Sequence, residues 1–137
     1  MLRKNAKIEL LRRVPLFAEC TKAQLAEIAL IADEVNLREG ACLIREGSPG
    51  REFCILLEGT VAVSRDGKKL PLRGGGEYFG EISLLSDAPT NATVVTTSQA
   101  RVLVITARGF RRLLERSPGI QGKLMSAMAA RLAPDTL

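Results

Sequence analysis

The stretch GEYFGEISLLSDAPTNATV, residues 76–94, differs from the rest of the chain. Its centre, GEISLL, breaks a pattern of short β-rich segments and fits one turn of helix, whose free backbone N–H groups point back toward the preceding loop. Backbone donors and the helix dipole together favour a bound anion. The stretch contains no Arg or Lys, so it predicts a phosphate site without a cation of its own.

Two residues in this stretch indicate the kind of anion. Gly80 allows a ligand to approach the backbone closely, and the Glu81 carboxylate, at the start of the helical turn, can accept hydrogen bonds from the hydroxyls of a ribose. A phosphate beside a sugar diol is the chemistry that this pair predicts. The same spacing also fits a structural role, in which Glu81 caps its own short helix and the glycines only turn the chain.

The sequence around this stretch predicts a β-roll. Short β-rich segments lie at residues 34–37, 42–45, 52–57, 60–64, 92–97 and 100–105, and a glycine stands at nearly every corner between them. Tight corners require a positive φ, which glycine adopts at little cost. Short strands at regular spacing are typical of an antiparallel barrel or jelly roll. The predicted fold class is α+β, an antiparallel β-roll (jelly-roll barrel) at residues 33–105 with helices on either side in sequence.

Two helices are predicted before the roll, within residues 1–32. The first covers residues 4–14, where apolar residues recur at helical spacing and a proline follows. In the second, Thr21 and Gln24 form a T-x-x-Q capping box, and the helix is expected to run to about residue 32.

Two more helices are predicted after the roll, within residues 106–133. Thr106 can cap a helix that runs through residue 115, and Ser117 with Pro118 provides an N-cap and a first helical residue for the last one. The apolar residues of the last helix recur every four positions, at Ile120, Leu124, Met128 and Leu132. Such a stripe is a packing face, against either the roll or a second subunit.

Composition narrows the remaining possibilities. A chain of 137 residues fits one domain that buries a core without disulfide or metal staples, so residues 1–137 are predicted to form a single domain. The three cysteines have no CxxC spacing and are expected to be small buried hydrophobes. Neither a membrane-spanning run nor a signal peptide is recognisable, so a cytoplasmic protein is expected.

Residue types and charge also narrow the function. The chain has no His, the commonest general base and metal ligand, so neither a catalytic site nor a metal site is predicted. The formal net charge is +5, but Lys and Arg are spread along the chain without a dense run or interleaved aromatic residues. We interpret them as a solvated surface, not as a nucleic-acid interface.

Several motifs, in order, resemble those of the cyclic nucleotide-binding domain family, which includes the catabolite activator protein and the regulatory subunits of protein kinase A. They are VPLF before a helix, LIREGSPGREFCILLEGTVAV in the first strands, FGEISLL with ATV in residues 76–94, and two closing helices. The resemblance covers nearly the whole chain. It identifies residues 76–94 as the phosphate-binding cassette of the family, called the cassette below, and residues 106–133 as lid helices.

The resemblance also implies which residues contact a cyclic nucleotide. In the family, cassette amides bind the cyclic phosphate, and the cassette Glu, here Glu81, holds the ribose 2′-hydroxyl. An Arg nine positions after that Glu clamps the phosphate, and this chain has Thr90 there. The amides correspond by position to those of Gly80, Ile82 and Ser83. The full set of implied binding residues is Phe79, Gly80, Glu81, Ile82, Ser83, Thr90, Asn91 and Ala92.

The replacement of the Arg by Thr90 predicts weaker binding. A charge-assisted hydrogen bond contributes about 1.5–3 kcal/mol, so its loss corresponds to a roughly 10- to 150-fold lower affinity. Glu81 and Asp87 add negative charge near the phosphate. Thr90 and Asn91 offer neutral donors instead, with Asn91 where some cGMP-preferring relatives have a Thr that contacts the base. Arg73, outside the family's position, is an alternative source of positive charge.

Two functions from different classes remain open. In the first, the chain is a cyclic nucleotide sensor: cAMP or cGMP enters the roll as the ligand, no further cofactor is needed, and the last helix closes over the base as a lid. In the second, the fold is a ligand-independent interaction or dimerisation module that uses the last helix. Its partner would be a second copy or an effector domain outside this sequence. The residues do not separate cAMP from cGMP.

Overall fold

The computed structural model of the chain describes residues 4–71, 74–80 and 89–136. Three of the implied binding residues, Glu81, Ile82 and Ser83, lie outside the described residues, as do Arg73 and Asp87. The two ends of the cassette are described.

Within these ranges the chain forms four α-helices and eight strands. The helices are α1 (Lys4–Arg12), α2 (Lys22–Leu30), α3 (Ala107–Arg116) and α4 (Pro118–Thr136), and a short 3₁₀ helix covers Pro15–Phe17. The strands are β1 (Asp33–Leu37), β2 (Cys42–Ile44), β3 (Glu52–Glu58), β4 (Val61–Arg65), β5 (Lys68–Lys69), β6 (Tyr78–Phe79), β7 (Thr93–Thr96) and β8 (Ala100–Thr106).

The strands form two four-stranded antiparallel sheets. The first has the order β1-β8-β3-β6 and the second β2-β7-β4-β5. Consecutive strands alternate between the sheets more often than they pair, which is the arrangement of a jelly roll. Among the described strands no hydrogen-bonded pair joins the two sheets, so the predicted roll is present but is not a closed barrel.

The first sheet separates two hydrophobic cores because successive side chains of a strand point to opposite faces. On β3, Phe53 and Ile55 face the helices, where the Phe53 ring lies 5.2 Å from that of Phe110 and 5.7 Å from that of Tyr78, centroid to centroid. Leu56 faces the other sheet. The inter-sheet core consists of Leu56, Val61, Val63, Phe79, Ala92, Val94, Ala100 and Val102.

Local capping follows the sequence predictions in two helices. Thr21 and Gln24 form the predicted capping box: the Thr21 hydroxyl oxygen accepts from the Gln24 amide at 3.1 Å, and the Gln24 side chain accepts from the Thr21 amide at 2.9 Å. The Thr106 hydroxyl oxygen accepts from the Gly109 amide at 3.0 Å. Both caps satisfy backbone donors that the first turn leaves free.

Helix α4 begins at Pro118 as predicted, but the Ser117 side chain bonds elsewhere. Its hydroxyl donates to the Glu27 carboxylate on α2 at 2.8 Å. Six residues later, Lys123 donates to the Gln24 side chain at 2.7 Å. The first two residues of the predicted stripe, Ile120 and Leu124, are buried in the helix-side core of this same chain. Nothing is described for the side chains of the other two, Met128 and Leu132.

The cysteines occupy three different environments. Cys54 is buried as predicted, Cys20 is half-buried, and Cys42 is exposed at the start of β2, which corrects the expectation for that residue. Cys42 lies on an edge strand of the second sheet, where only one neighbouring strand covers it. In the described part of the chain no helix has both the length and the apolar character of a membrane span.

Candidate functional site

The cassette leaves the first sheet at β6 and enters the second at β7. Phe79, the last residue of β6, has its side chain in the inter-sheet core and pairs with Cys54 of β3. Ala92, the residue before β7, is also buried in that core. These two implied binding residues therefore fix the ends of the cassette by burial.

Gly80 is required by the backbone around it. Its φ is +91°, and a Cβ at this position would lie 2.5 Å from the carbonyl oxygen of Glu52 at the start of β3. A φ in this region is costly for residues with a Cβ. The close approach to a neighbouring strand gives Gly80 a structural role, in addition to the ligand approach that the sequence suggested.

Thr90 forms hydrogen bonds to the loop between β2 and β3 through its amide, its carbonyl and its hydroxyl. Its amide donates to the Ser48 carbonyl at 2.9 Å, and its carbonyl accepts from the Gly47 amide at 2.8 Å. The hydroxyl donates to the carbonyl oxygens of Arg45 at 2.5 Å and Ser48 at 3.2 Å. A hydroxyl carries one hydrogen, so in this conformation the Thr90 donor is directed at the loop.

Asn91 connects the cassette to the hairpin of β4 and β5. The Asn91 residue is exposed, and its carbonyl oxygen accepts a hydrogen bond from Nε of Arg65 at 2.9 Å. The hairpin turns at Asp66 and Gly67, with φ of 53° and 77°. Two consecutive positive φ values are typical of a two-residue type I′ turn, for which Asp-Gly is a favoured pair.

The loop between β2 and β3 also contacts this hairpin. The Glu46 carboxylate accepts from the Asp66 amide at 3.1 and 3.2 Å, while the Glu46 amide donates to the Thr93 hydroxyl oxygen at 3.0 Å. Three segments that are far apart in sequence thus meet at the C-terminal end of the cassette. They are the β2–β3 loop, the β4–β5 hairpin and residues 90–93.

The formal charge of the residues at this meeting point is positive. The segments 45–48 and 65–69 contain four basic residues and two acidic ones. The basic residues are Arg45, Arg65, Lys68 and Lys69, and the acidic ones are Glu46 and Asp66. The sequence predicts that strand 60–64 ends at a glycine turn, but it does not single out the basic residues beside that turn, because contacts across 26 positions leave no local pattern in the sequence.

Comparison with known proteins places this geometry among relatives. The family model described as "Cyclic nucleotide-binding domain" matches residues 34–117. A cAMP-dependent protein kinase regulatory subunit from Colletotrichum orbiculare is 36% identical over 114 residues, which cover 82% of this chain and 29% of that protein. The chain spans less than a third of the length of the curated relatives it matches.

Solved structures with the same fold include two bacterial proteins. The N-terminal domain of a transcriptional regulator from Streptomyces coelicolor is 32% identical with a TM-score of 0.74, and the match covers 93% of this chain and 92% of that one. The catabolite activator protein of Thermus thermophilus, at 24% identity, has a TM-score of 0.78 over 89% of this chain and 60% of that one. The second similarity concerns the fold alone.

Proposed function

Because this chain belongs to the cyclic nucleotide-binding domain family, we propose that it is a regulatory domain that binds cAMP or cGMP in its cassette, with an affinity lowered by Thr90. The observation that carries the proposal is the family match over residues 34–117, which spans both described ends of the cassette. The missing Arg removes about 1.5–3 kcal/mol, or roughly 10- to 150-fold in affinity.

The proposed roles of the cassette residues divide by position. The backbone amides of Gly80, Ile82 and Ser83 would face the cyclic phosphate, and Glu81 would hold the ribose hydroxyl. These are the roles that the family implies, and most of them fall outside the described residues. Support from the described part is that Phe79 and Ala92 anchor the cassette ends in the inter-sheet core.

A route from the cassette to the helices is present in the fold. Gly80 packs against the carbonyl of Glu52. The preceding residue, Arg51, accepts with its carbonyl oxygen a hydrogen bond at 2.9 Å from the amide of Ala107, the first residue of α3. A ligand can shift the position of the helices only by as much as it binds one conformation of the chain more tightly than the other. Movement of α4 as a lid would break the hydrogen bond from Lys123 to Gln24 and strain the one from Ser117, the residue before the helix, to Glu27.

Titration calorimetry with cAMP and with cGMP tests the proposal, with AMP as a control that lacks the cyclic phosphate. We expect saturable binding of a cyclic nucleotide, accompanied by a rise in the thermal midpoint as ligand increases. Absence of both heat and thermal shift at millimolar cAMP and cGMP would contradict the proposed function.

One observation favours a second candidate, the ligand-independent interaction module. Thr90 already has partners in Arg45 and Ser48, so the end of the cassette is held without a ligand. In that case neither nucleotide binds, and the partner is a second copy or an effector domain beyond this sequence. Sedimentation equilibrium over a range of protein concentrations would then reveal self-association, which Met125→Glu on the exposed side of α4 should weaken if this helix forms the contact.

A further inference from the structure

Two cations stand opposite each other at the hairpin turn. Arg65 of β4 and Lys68 of β5 are direct partners in the antiparallel register, on either side of Asp66 and Gly67. Side chains of directly opposed residues lie on the same face of a sheet, with Cβ atoms about 4.5–5.5 Å apart. Like charges in this position destabilise a strand pair, so the Arg65–Lys68 pair costs free energy unless an anion neutralises it.

The strand pattern shows which face the Arg65–Lys68 pair occupies. Val61 and Val63 are buried in the inter-sheet core, and Arg65 is the next residue on the same face of β4. On the other side of the turn, Leu70 packs against that core and lies two residues after Lys68. The pair therefore extends the inner face of the second sheet to the rim of the roll.

The pair lies directly beside the cassette. Nε of Arg65 donates to the carbonyl of Asn91, the residue after Thr90, at 2.9 Å. A guanidinium has five N–H donors, and this is the one hydrogen bond that the Arg65 guanidinium forms with any part of the described chain. No carboxylate of the described residues forms an ion pair with Arg65 or Lys68. The Glu46 carboxylate, on the neighbouring β2–β3 loop, is bound to the Asp66 amide.

Resting on the proposed function, we propose that Arg65, assisted by Lys68, supplies the positive charge for the ligand's phosphate that Thr90 does not. The ligand class is a cyclic phosphodiester monoanion. Arg65 is held in place by its Nε hydrogen bond, which leaves the two terminal nitrogens to bind phosphate oxygens as charge-assisted donors. The Lys68 ammonium adds a second cation on the same face.

The test is a set of charge removals on one hairpin, with cAMP and cGMP titrated into each variant of the 137-residue chain at low and high salt. Arg65→Gln should weaken binding by about 10- to 150-fold and reduce its dependence on salt, and Lys68→Gln should weaken it less. The matched control is Lys69→Gln. Lys69 pairs with Ser64 on the opposite face, so removal of its charge should change the affinity by about twofold at most.

Two further variants separate charge from folding. Arg65→Lys keeps the charge but loses the Nε anchor and the second terminal nitrogen, so it should bind more tightly than Arg65→Gln and less tightly than the wild type, while Thr90→Arg in the Arg65→Gln background should restore binding from the family's own position. Unchanged affinity in Arg65→Gln, beside a wild type that binds, would overturn the role of Arg65 and leave the proposed function intact. Equal losses of affinity in all three Gln variants would mean that the positive charge of the hairpin as a whole attracts the ligand. That result would also overturn the specific role of Arg65. A wild type that binds neither nucleotide would overturn both.

Discussion

Thr90, which we propose stands at the position of the family's phosphate-clamping Arg, forms hydrogen bonds within its own chain. Its hydroxyl and backbone hold the loop at Arg45 and Ser48, whereas the family's Arg at this position would extend toward the phosphate. Thr90→Arg should therefore strengthen or create cyclic nucleotide binding, by roughly 10- to 150-fold where the wild type binds measurably. Titration calorimetry measures the change directly.

The control for this substitution is Thr90→Val, which has a similar size and no charge. Both variants lose the hydroxyl bond to the loop, at a cost of about 1 kcal/mol in the free energy of unfolding. Only the Arg variant gains a cation, so the difference in affinity between the two isolates the charge. Equal affinities in two folded variants would mean that Thr90 is not aligned with the phosphate clamp.

Gly80 permits a comparison of two glycines with similar φ. Gly80 and Gly40 have φ of +91° and +88°, but only Gly80 has backbone atoms close to the position of a Cβ. Gly40→Ala should cost about 1–2 kcal/mol for the left-handed conformation alone. Gly80→Ala should cost about 1–3 kcal/mol more, because the methyl group meets the Glu52 carbonyl. Denaturant unfolding of the two variants gives the difference, and equal costs would show that β3 yields freely at Glu52.

The part of the site that could be predicted from sequence is the part with local signals. Gly80 and Thr90 are predicted as site residues because Gly80 lies within the FGEISLL motif and Thr90 lies at a fixed spacing before the ATV motif. The hydrogen bonds of Thr90 to the β2–β3 loop and of Arg65 to Asn91 join residues 26 to 45 positions apart. Such contacts depend on how the two sheets come together, which the pattern of a single segment does not encode.

At the level of elements, the packing of α4 decides whether this helix is part of the cooperative fold. Leu124 is buried in the helix-side core, while the next residue, Met125, is 44% exposed. Leu124→Ala should lower the free energy of unfolding by about 2–5 kcal/mol, and Met125→Ala should change it by about 0.5 kcal/mol or less. Chemical denaturation followed by circular dichroism distinguishes the two. Similar small effects would show that α4 is not part of the cooperative fold.

The strands differ in how well the sequence predicted them. All six predicted strands are present, each within one residue of its predicted ends. Turn glycines border the first four, and the last two are recognisable from their β-branched residues. The two that were missed, β5 and β6, contain two residues each, which is too short for an alternating pattern to be recognised. β6 lies in the cassette and β5 in the β4–β5 hairpin. Without β5, the pairing of Arg65 with Lys68 could not be predicted.

For the whole molecule, the first sheet connects the cassette to the helices. One face of β3 packs on Phe110 and the helix-side core, and the other packs on the second sheet. Interiors are close-packed and transmit small displacements. On the proposed function, we expect a ligand at the cassette to affect the helices through β3.

The cysteines offer a measurement of this coupling in the intact chain. Burial, and secondarily the nearby Glu52 carboxylate, raises the pKa of the Cys54 thiol to about 12 from an ordinary value of 9.0. The reactive species is the thiolate, so at about pH 8 iodoacetamide should label the exposed Cys42 first and the half-buried Cys20 more slowly. Cys54 should react only when the fold opens. Mass spectrometry of the labelled peptides gives the three rates, and Cys42→Ser should remove the fast one.

Ligand binding should then alter one of these rates. Cys54 pairs with Phe79, the residue before Gly80, so opening of β3 also disturbs the start of the cassette. A ligand that binds only the folded form lowers the open population by the factor 1 + [L]/Kd, and a saturating cyclic nucleotide should slow Cys54 labelling by that factor while Cys42 is unaffected. Labelling of Cys54 as fast as Cys42 in the folded chain would mean that β3 does not carry a closed core.

The pKa of the Cys54 thiol is near 9.0 in the unfolded chain and about 12 in the folded one. The free energy of unfolding should therefore also fall as pH rises above about 9.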